Sequence, residues 1–356
     1  MGSKAVSSKT RIVPTKYRTS DFDYEYPPES IAQRPLARRS DSRMLVLDRA
    51  TGEIAHRVFR DLPGLPDPGD VVVLNESRVI PARLTGLRDN GRAAEILLVH
   101  AEPNGDWLAM VRPGSKLKPG RRVRFGSDAA AEIVEVAEGG LRRLRFTGSL
   151  SVDELTARFG TVPLPPYIER EPEPDDWDRY QTVYARLDGS VAAPTAGLHF
   201  TEQVLSQLRN RKIDVARIVL HVGPGTFKPV ETDEPAHHSL HAEWYSVPQE
   251  TAAVVNRAKD AGNRVWAVGT TTVRVLETAG SGGGLHSASG WTDLFIYPPY
   301  QFRLVDALIT NFHLPRSTLL MLVAAFAGHE PTMAAYRDAV ASGYRLYSYG
   351  DAMVVI

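Results

Sequence analysis

The chain has 356 residues, of which 43% are hydrophobic, so it is long enough for one large domain and a smaller one. It contains no cysteine, which excludes disulfides, thiolate metal ligands and cysteine nucleophiles and favours an intracellular protein. Its 42 basic residues balance its 42 acidic residues, so the net charge gives no argument for a nucleic-acid partner. Residues 1–16 are polar and are predicted to be a flexible extension. Neither a signal peptide nor a membrane span is predicted, and we expect a cytoplasmic protein.

The first part of the chain has two kinds of β pattern. Short apolar runs at residues 44–48 and 71–74 are typical of strands that are buried on both faces. From residue 77 to residue 149, short β-rich runs alternate with Asn-Gly, Pro-Gly and Gly-Gly turns. The second pattern predicts a small antiparallel barrel.

Beyond residue 201, predicted helices and strands alternate. They cover residues 202–211 (helix), 215–222 (strand), 249–262 (helix) and 264–268 (strand). Such alternation is typical of a mostly parallel sheet with helices on both faces. We therefore predict an α/β fold: a three-layer α/β/α domain formed by residues 17–76 and 156–356, with a β-barrel domain inserted at residues 77–155.

Two further segments differ in composition from their surroundings. Residues 280–290 are rich in glycine and serine and are predicted to be a mobile loop. A basic run in the barrel region is a candidate nucleic-acid contact, although a simple solvated face is an equally good interpretation. Its members are Arg112, Lys116, Lys118, Arg121 and Arg122.

The segment from Tyr180 to Thr201 follows neither a helical nor a strand period. It combines small residues with two tyrosines, an amide, hydroxyls and a histidine, which is typical of a binding loop. Its candidate residues are Tyr180, Gln181, Tyr184, Ser190, Thr195 and His199.

Polar residues also follow the predicted strands. Gly269 and the run Thr270, Thr271 and Thr272 open a helix that contains Arg274, and free N–H groups at such a helix start suit a carboxylate, a phosphate or a ribose. The alternative is a threonine N-cap without a ligand. Because ligands of α/β sheets bind at the carboxyl ends of strands, we favour a ligand site.

Histidines lie near the ends of three further segments. They are His221, His241 with the neighbouring Glu243, and His313 with the nearby Asn311. The spacing from His238 to Glu243 leaves metal ligation as a weaker alternative, since these residues lie in a proline-containing loop and not on one helical face. We predict no metal site and favour acid–base chemistry, because imidazole titrates near neutral pH.

Long sequence blocks resemble one family, the S-adenosylmethionine:tRNA ribosyltransferase-isomerases of queuosine biosynthesis. The resemblance covers nearly the whole chain in order. The blocks include Leu74-Asn-Glu-Ser-Arg-Val-Ile-Pro-Ala-Arg-Leu84, Pro163-Leu-Pro-Pro-Tyr-Ile168, Gly189-Ser-Val-Ala-Ala-Pro-Thr-Ala-Gly-Leu-His-Phe200, Leu220-His-Val-Gly-Pro-Gly-Thr-Phe227, Gly269-Thr-Thr-Thr-Val-Arg274, Thr310-Asn-Phe-His-Leu-Pro315 and Tyr347-Ser-Tyr-Gly-Asp-Ala-Met353.

The resemblance implies a reaction at the wobble position of a tRNA anticodon. The ribosyl group of S-adenosylmethionine is transferred to 7-aminomethyl-7-deazaguanine in tRNA and isomerised, which gives epoxyqueuosine, adenine and methionine. S-adenosylmethionine is then a consumed substrate, and no cofactor is implied. The sulfonium acidifies the adjacent ribose carbon, a base removes a proton there, and ring opening expels adenine. The tRNA amine adds, and an oxyanion displaces methionine.

The resemblance also implies roles for the candidate residues. Acid–base groups would come from His199, Glu243, His221, His241 and His313, with His199 and Glu243 favoured. The substrate-binding set would be Tyr180, Gln181, Tyr184, Ser190, Thr195, Thr270, Thr271, Thr272, Arg274 and Asn311, with the tyrosines stacking on a base. The basic barrel run would contact tRNA phosphates. We expect a monomer.

Three positions depart from the usual family pattern: Glu76 where Asp is usual, Leu240 where Met is usual, and Pro299 where Gly is usual. Two alternatives therefore stay open. One is a related S-adenosylmethionine-dependent ribosyl transferase that acts on another acceptor. The other is a noncatalytic RNA-binding protein that uses the small barrel.

Overall fold

The computed structural model describes residues 16–223 and 230–356. The predicted extension therefore lies, up to residue 15, outside the described residues, as does the end of the block at residues 224–227. The strands are β1 (Arg43–Leu47), β2 (Ile54–Val58), β3 (Val71–Asn75), β4 (Ser77–Val79), β5 (Arg83–Arg88), β6 (Ala93–Ala101), β7 (Trp107–Arg112), β8 (Arg122–Phe125), β9 (Ala129–Val136), β10 (Arg142–Gly148), β11 (Gly160–Thr161), β12 (Leu187–Ser190), β13 (Asp214–Leu220), β14 (Glu243–Val247), β15 (Val265–Val268), β16 (Gly280–Ser281), β17 (Gly284–Leu285), β18 (Ala288–Thr292), β19 (Ala307–Asn311) and β20 (Ala352–Val355). The α-helices are α1 (Val152–Phe159), α2 (Asp176–Arg179), α3 (Glu202–Asn210), α4 (Gln249–Asp260), α5 (Thr270–Ala279), α6 (Thr318–Ala327) and α7 (His329–Ala341).

The large domain is built on a nine-stranded sheet in the order β18-β14-β13-β3-β15-β19-β20-β1-β2. Its centre, β13-β3-β15-β19, is parallel, and β20 also pairs parallel with β1. The remaining neighbours are antiparallel, so the sheet is mixed and both of its outer strands pair in the antiparallel sense. The carboxyl ends of the four central strands meet at one edge.

The sheet is the middle of three layers. In β3 the side chains alternate: Val71 and Val73 pack into one core cluster, and Val72 and Leu74 pack into another. The first cluster includes residues of α4, α5, α6 and α7, and the second includes residues of α3. This arrangement buries β3 on both faces, which explains the uninterrupted apolar run at residues 71–74. The predicted α/β/α architecture is confirmed.

The inserted domain is a closed six-stranded antiparallel barrel. Its strands follow the order β5-β6-β7-β10-β9-β8, and β8 pairs back with β5 to close it. The interior is filled by apolar side chains such as Ile96, Val123 and Leu144, to which Leu155 of α1 adds from one end. The predicted barrel is confirmed, and β11 extends it by pairing with β5.

The glycine-serine segment is a correction to the sequence analysis. Residues 280–290 were predicted to form a mobile loop, but they form the hairpin β16–β17 and the start of β18. Gly282 and Gly283 have positive φ values at the hairpin turn, which is the conformation that glycine allows. β18 exists because the edge of β14 offers it backbone partners. None of the helices in the described part of the chain has the length and the apolar composition that a membrane-spanning helix requires.

Candidate active site

A pocket of about 50 Å³ lies at the edge where the central parallel strands end, and we call it the strand-end pocket. It brings together five residues that the sequence predicted as functional, from three separate parts of the chain. They are Thr195, Thr270, Thr271, Asn311 and His313. Two tyrosines that the sequence analysis did not single out, Tyr167 and Tyr347, complete the wall. The position agrees with the rule that ligands bind at carboxyl ends of parallel strands.

The start of α5 forms one side of this pocket. Gly269 is the N-cap with φ +87°, and no side chain caps the helix, so the alternative of a threonine N-cap is wrong. Thr272 Oγ1 donates to the carbonyl of Val268 at 2.7 Å, and it does not line the pocket. Thr270 and Thr271 do line it, and their N–H groups have no intrahelical acceptor because they begin the helix. These N–H groups suit an oxygen atom of a ligand.

His199 lies behind Asn311 and is buried. Its Nδ1 is 3.0 Å from Ser42 Oγ, and its Nε2 is 3.1 Å from Asn311 Nδ2. Burial, with a smaller effect of Arg345 and Arg39, lowers the pKa of His199 to about 3. The imidazole is therefore neutral at physiological pH and has both nitrogens bonded, which suits positioning better than proton transfer.

His313 is held in a similar way. Its Nε2 is 3.3 Å from Thr310 Oγ1, and its Nδ1 is 3.3 Å from the hydroxyl of Tyr336. Its carbonyl accepts from the Tyr24 hydroxyl at 2.6 Å. Burial lowers the pKa of His313 to about 3, so this ring is also neutral.

His221 is the most open of these three histidines. Its Nδ1 is 2.7 Å from Ser77 Oγ, which is 2.6 Å from Ser190 Oγ, and its ring stacks on Trp244 with centroids 5.1 Å apart. The Ser190 hydroxyl in turn accepts from the N–H of Val222 at 2.9 Å. Partial burial lowers the pKa of His221. Its Nε2 has no hydrogen bond to any described residue, so among these three histidines it alone keeps a free ring nitrogen. His221 does not itself line the strand-end pocket, but its neighbour Val222 does.

A second cavity, of about 300 Å³, lies between the barrel and the large domain, and we call it the interdomain cavity. The barrel contributes His100 and apolar side chains from β6 and β7. The large domain contributes His241, Glu243 and Arg274. His241 is exposed on this wall, where a Cβ added to Gly139 of the barrel would lie 2.6 Å from its ring.

Glu243 and Arg274 form a buried ion pair in the wall of the interdomain cavity. The second oxygen of Glu243 accepts from the N–H of Gly223 at 2.7 Å. Arg274 also donates to the carbonyls of Leu294 and Thr292 at 2.9 and 3.1 Å. The sequence analysis grouped Arg274 with the threonines at the start of α5. The structure separates them, because the Arg274 side chain extends towards β14 and β18. The metal site considered in the sequence analysis would use the carboxylate of Glu243 as a ligand. In the structure that carboxylate is bound to Arg274 instead.

Several residues of the predicted binding loop lie in the protein interior. Tyr180 packs in a core cluster beside Tyr349, and Tyr184 packs against Phe200. Gln181 uses both ends of its amide on the backbone of Val79, at 3.0 and 3.2 Å. The structure brings neither tyrosine to the strand-end pocket or the interdomain cavity. A sequence pattern shows that a residue is aromatic or polar, but it does not show which way the side chain points.

The basic run of the barrel is exposed. Arg122 pairs with Glu132 at 3.0 Å across β8 and β9. Arg112, Lys116, Lys118 and Arg121 have no ion pair with any described residue. Four exposed cationic side chains of the barrel domain are therefore available to an anionic partner.

Sequence reasoning missed several polar residues that the structure places beside the predicted ones. Ser42, Asn75 and Ser77 bond to His199, Thr271 and His221, respectively. Asn75 and Ser77 are part of the quoted blocks, and so is Tyr347, so their presence in those blocks was the available signal. Of the departing positions, Glu76 is buried and pairs with Arg186 at 2.8 Å, and Leu240 lines the interdomain cavity.

Comparison with known proteins places this chain in a family. The family described as "Queuosine biosynthesis protein" matches residues 19–355. An S-adenosylmethionine:tRNA ribosyltransferase-isomerase of Heliobacterium modesticaldum is 52% identical over 342 residues, which cover 94% of this chain and 98% of that protein. An S-adenosylmethionine:tRNA ribosyltransferase-isomerase of Thermotoga maritima is 50% identical over 339 residues, which cover 95% of this chain and 100% of that protein.

A solved structure agrees with these relatives. The crystal structure of an S-adenosylmethionine tRNA ribosyltransferase from Thermotoga maritima matches with a TM-score of 0.55 and 41% identity, over 95% of this chain and 100% of that one. The resemblance found in the sequence blocks is thereby confirmed. The chain belongs to the queuosine biosynthesis protein family, among the S-adenosylmethionine:tRNA ribosyltransferase-isomerases.

Proposed function

We propose that this protein is an enzyme that transfers and isomerises the ribosyl group of S-adenosylmethionine onto 7-aminomethyl-7-deazaguanine in tRNA. The observation that carries this proposal is the identity of about half of the residues, over nearly full length, with relatives named for this activity. S-adenosylmethionine is a consumed substrate, and the reaction needs no further cofactor. The protein acts in the cytoplasm, as a monomer.

The two cavities support binding of the two substrates at separate places. The strand-end pocket offers the free N–H groups of α5 and neutral polar side chains, which suit S-adenosylmethionine. The interdomain cavity is larger and is bounded by the barrel, whose exposed basic run suits the tRNA backbone. The modified base of tRNA therefore enters through the interdomain cavity. His221 lines neither cavity, but the next two residues do: Val222 lines the strand-end pocket and Gly223 lines the interdomain cavity.

The chemistry requires at least one group that removes a proton from the ribose carbon next to the sulfonium. Of the candidate histidines, His199 and His313 have both ring nitrogens engaged, whereas His221 and His241 each keep a ring nitrogen without a hydrogen bond to any described residue. His241 lines only the interdomain cavity, whereas His221 adjoins the strand-end pocket and is oriented by Ser77. We assign the proton transfer to His221. Glu243, whose carboxylate is bound to Arg274, organises the cavity wall. Loss of the ribose proton opens the ring and expels adenine, and the tRNA amine then adds before methionine leaves.

The test is a product assay with the purified full-length protein. Supplied with S-adenosylmethionine and tRNA bearing 7-aminomethyl-7-deazaguanine, it is expected to release adenine and methionine in equal amounts and to form an epoxide-bearing nucleoside, which mass spectrometry detects. His221→Gln is expected to abolish release, and His237→Gln at an exposed position is the matched control. Binding of S-adenosylmethionine without release would point to a different acceptor. RNA binding without S-adenosylmethionine binding would point to the noncatalytic alternative.

A further inference from the structure

Two side chains that line the strand-end pocket each have a buried polar atom that makes no hydrogen bond to any described residue: the amide of Asn311 and the hydroxyl of Tyr347. Asn311 is 2% exposed, and its Oδ1 makes no hydrogen bond to any described residue. A buried amide oxygen without a hydrogen bond costs free energy, so its retention at a ligand pocket points to a partner that binds there. The orientation of the amide decides which of its two ends is left without a partner, and therefore what that partner must be.

The orientation of the Asn311 amide follows from one neighbour. The same terminal atom that contacts His199 also lies 3.3 Å from the carbonyl oxygen of Tyr347. A carbonyl oxygen only accepts hydrogen bonds, so the atom beside it is the NH₂ group. The oxygen of Asn311 is therefore the atom left without a partner.

A chain of hydrogen bonds through Ser42 and His199 independently gives the same orientation of the Asn311 amide. The Ser42 hydroxyl donates its single proton to the carbonyl of Arg39 at 3.0 Å, so towards His199 it acts as an acceptor. The proton of the neutral His199 is consequently on Nδ1, and Nε2 accepts from the Asn311 NH₂ group. The low pKa of His199 keeps this chain in one protonation state.

The other residues of the strand-end pocket limit which chemical group of a ligand can bind there. Among the described residues that line it, none carries a formal charge at neutral pH, since burial keeps His313 neutral. The start of α5 offers N–H donors, Asn311 offers one acceptor, and the hydroxyl of Tyr347 can both donate and accept. An ammonium would require several acceptors, and a carboxylate would require donors alone. A sugar diol both donates and accepts without charge, which matches this set.

We propose that Asn311 accepts a hydrogen bond from a ribose hydroxyl of S-adenosylmethionine in the strand-end pocket, and that Ser42 and His199 are positioning residues that fix the orientation of its amide. The inference rests on the proposed function, because it takes S-adenosylmethionine as the substrate. His199, the favoured acid–base candidate of the sequence analysis, thereby acts through Asn311 and does not exchange protons with substrate.

The test compares binding of S-adenosylmethionine with binding of two analogues, each lacking one ribose hydroxyl, by calorimetry in the absence of tRNA. The wild-type protein is expected to bind one analogue about tenfold more weakly, as for a lost hydrogen bond that leaves a buried partner unpaired. Asn311→Leu and Asn311→Ala are expected to bind S-adenosylmethionine about tenfold more weakly and to show no preference over that analogue. The exposed Asn210→Leu is expected to keep both the affinity and the preference.

The positioning residues are tested by the same preference. Ser42→Ala is expected to reduce the preference for S-adenosylmethionine over the analogue, and Ser42→Thr, which keeps a hydroxyl, is expected to restore it. A general loss of packing would lower the affinities for S-adenosylmethionine and for the analogue equally, and would leave their ratio unchanged. An unchanged preference in the two Asn311 variants would overturn the proposal. So would a wild-type protein that binds both analogues as tightly as it binds S-adenosylmethionine. Wild-type release of adenine and methionine with either result shows that the proposed function itself stands.

Discussion

Glu243 and Arg274 bind each other in the wall that the large domain presents to the barrel, and both are buried. Arg274 comes from α5, which begins at the strand-end pocket, and Glu243 begins β14, the strand that pairs with β13. The pair therefore connects the helix that starts at one cavity with the wall of the other. The N–H of Gly223, in the segment that follows β13, also donates a hydrogen bond to Glu243.

Breaking this pair from one side is expected to destabilise the protein strongly. Arg274→Met leaves the carboxylate of Glu243 buried without its cation, which typically costs about 3–5 kcal/mol of the free energy of unfolding. The double variant Glu243→Gln with Arg274→Met is expected to be more stable than the sum of the single changes predicts. Urea denaturation measures these differences. Arg257→Met, which removes an exposed pair with Asp214, is the control and is expected to cost less than about 1 kcal/mol. Equal costs for Arg274→Met and Arg257→Met would contradict the argument.

The stability is expected to fall in mild acid because of two buried histidines. His199 and His313 have pKa values of about 3 in the folded protein, whereas an unfolded histidine titrates near pH 6.5. Below the unfolded pKa the unfolded chain binds more protons than the native state, so the free energy of unfolding decreases as the pH falls towards 3. Between about pH 7 and about pH 5, each histidine contributes a loss of about 2 kcal/mol.

Denaturation of variants at the two pH values separates these residues from the other titrating groups. His199→Gln is expected to be less stable than the wild type near neutral pH but to lose about 2 kcal/mol less on acidification. The exposed His237→Gln is expected to follow the wild type. A His199→Gln variant with the pH dependence of the wild type would show that this ring is protonated in the folded protein.

Gly189 is expected to be required because of its contact with His221. A Cβ added to Gly189 would lie 2.6 Å from the His221 ring, which is confined on its other side by Trp244. Gly189→Ala therefore displaces the ring from Ser77, and such a misplacement of a catalytic group can lower kcat about 100-fold. Gly52→Ala also places alanine at a positive φ but in open space, so it controls for backbone strain. Steady-state release of adenine is the measurement, and similar rates for both variants would refute a catalytic His221.

The basic run of the barrel is expected to govern tRNA affinity through phosphate contacts. Lys118→Ala and Arg121→Ala remove exposed cations that have no acidic partner among the described residues. Each is expected to reduce the slope of log affinity against log salt by about 1, as for one lost phosphate contact. The exposed Arg209→Ala on α3, in the other domain, is the matched control. Unchanged slopes in the barrel variants would support a simple solvated face.

Much of the fold could be predicted because its signals are local. The apolar run of β3 and the helices α3 and α4 follow from hydrophobic periodicity, which depends only on neighbouring residues. The barrel follows from regularly spaced turns. The hairpin at residues 280–285 and the strand β18 were missed because their composition resembles a loop, and because β18 pairs with β14, which is distant in the chain.

The candidate site could be predicted in part for the same reason. Thr270 and Asn311 were found because each directly follows or ends a recognisable strand, and parallel strands bring their ends together. Tyr180 and Tyr184 were proposed to stack on a base but lie in the core, since residue type alone does not set the direction of a side chain. Ser42 is 157 residues from His199 in the chain, so no local pattern joins them.

The amino-acid sequence by itself determined the family, the three-layer domain with its barrel, and the chemical groups available at the strand ends, because these depend on residue identity and short-range periodicity. Only the tertiary structure decided which of those groups act together. It paired Glu243 with Arg274, held His199 neutral between Ser42 and Asn311, and left one nitrogen of His221 open. Burial and hydrogen bonding set pKa values and the orientation of amides, and both arise from contacts between residues that are far apart in the chain.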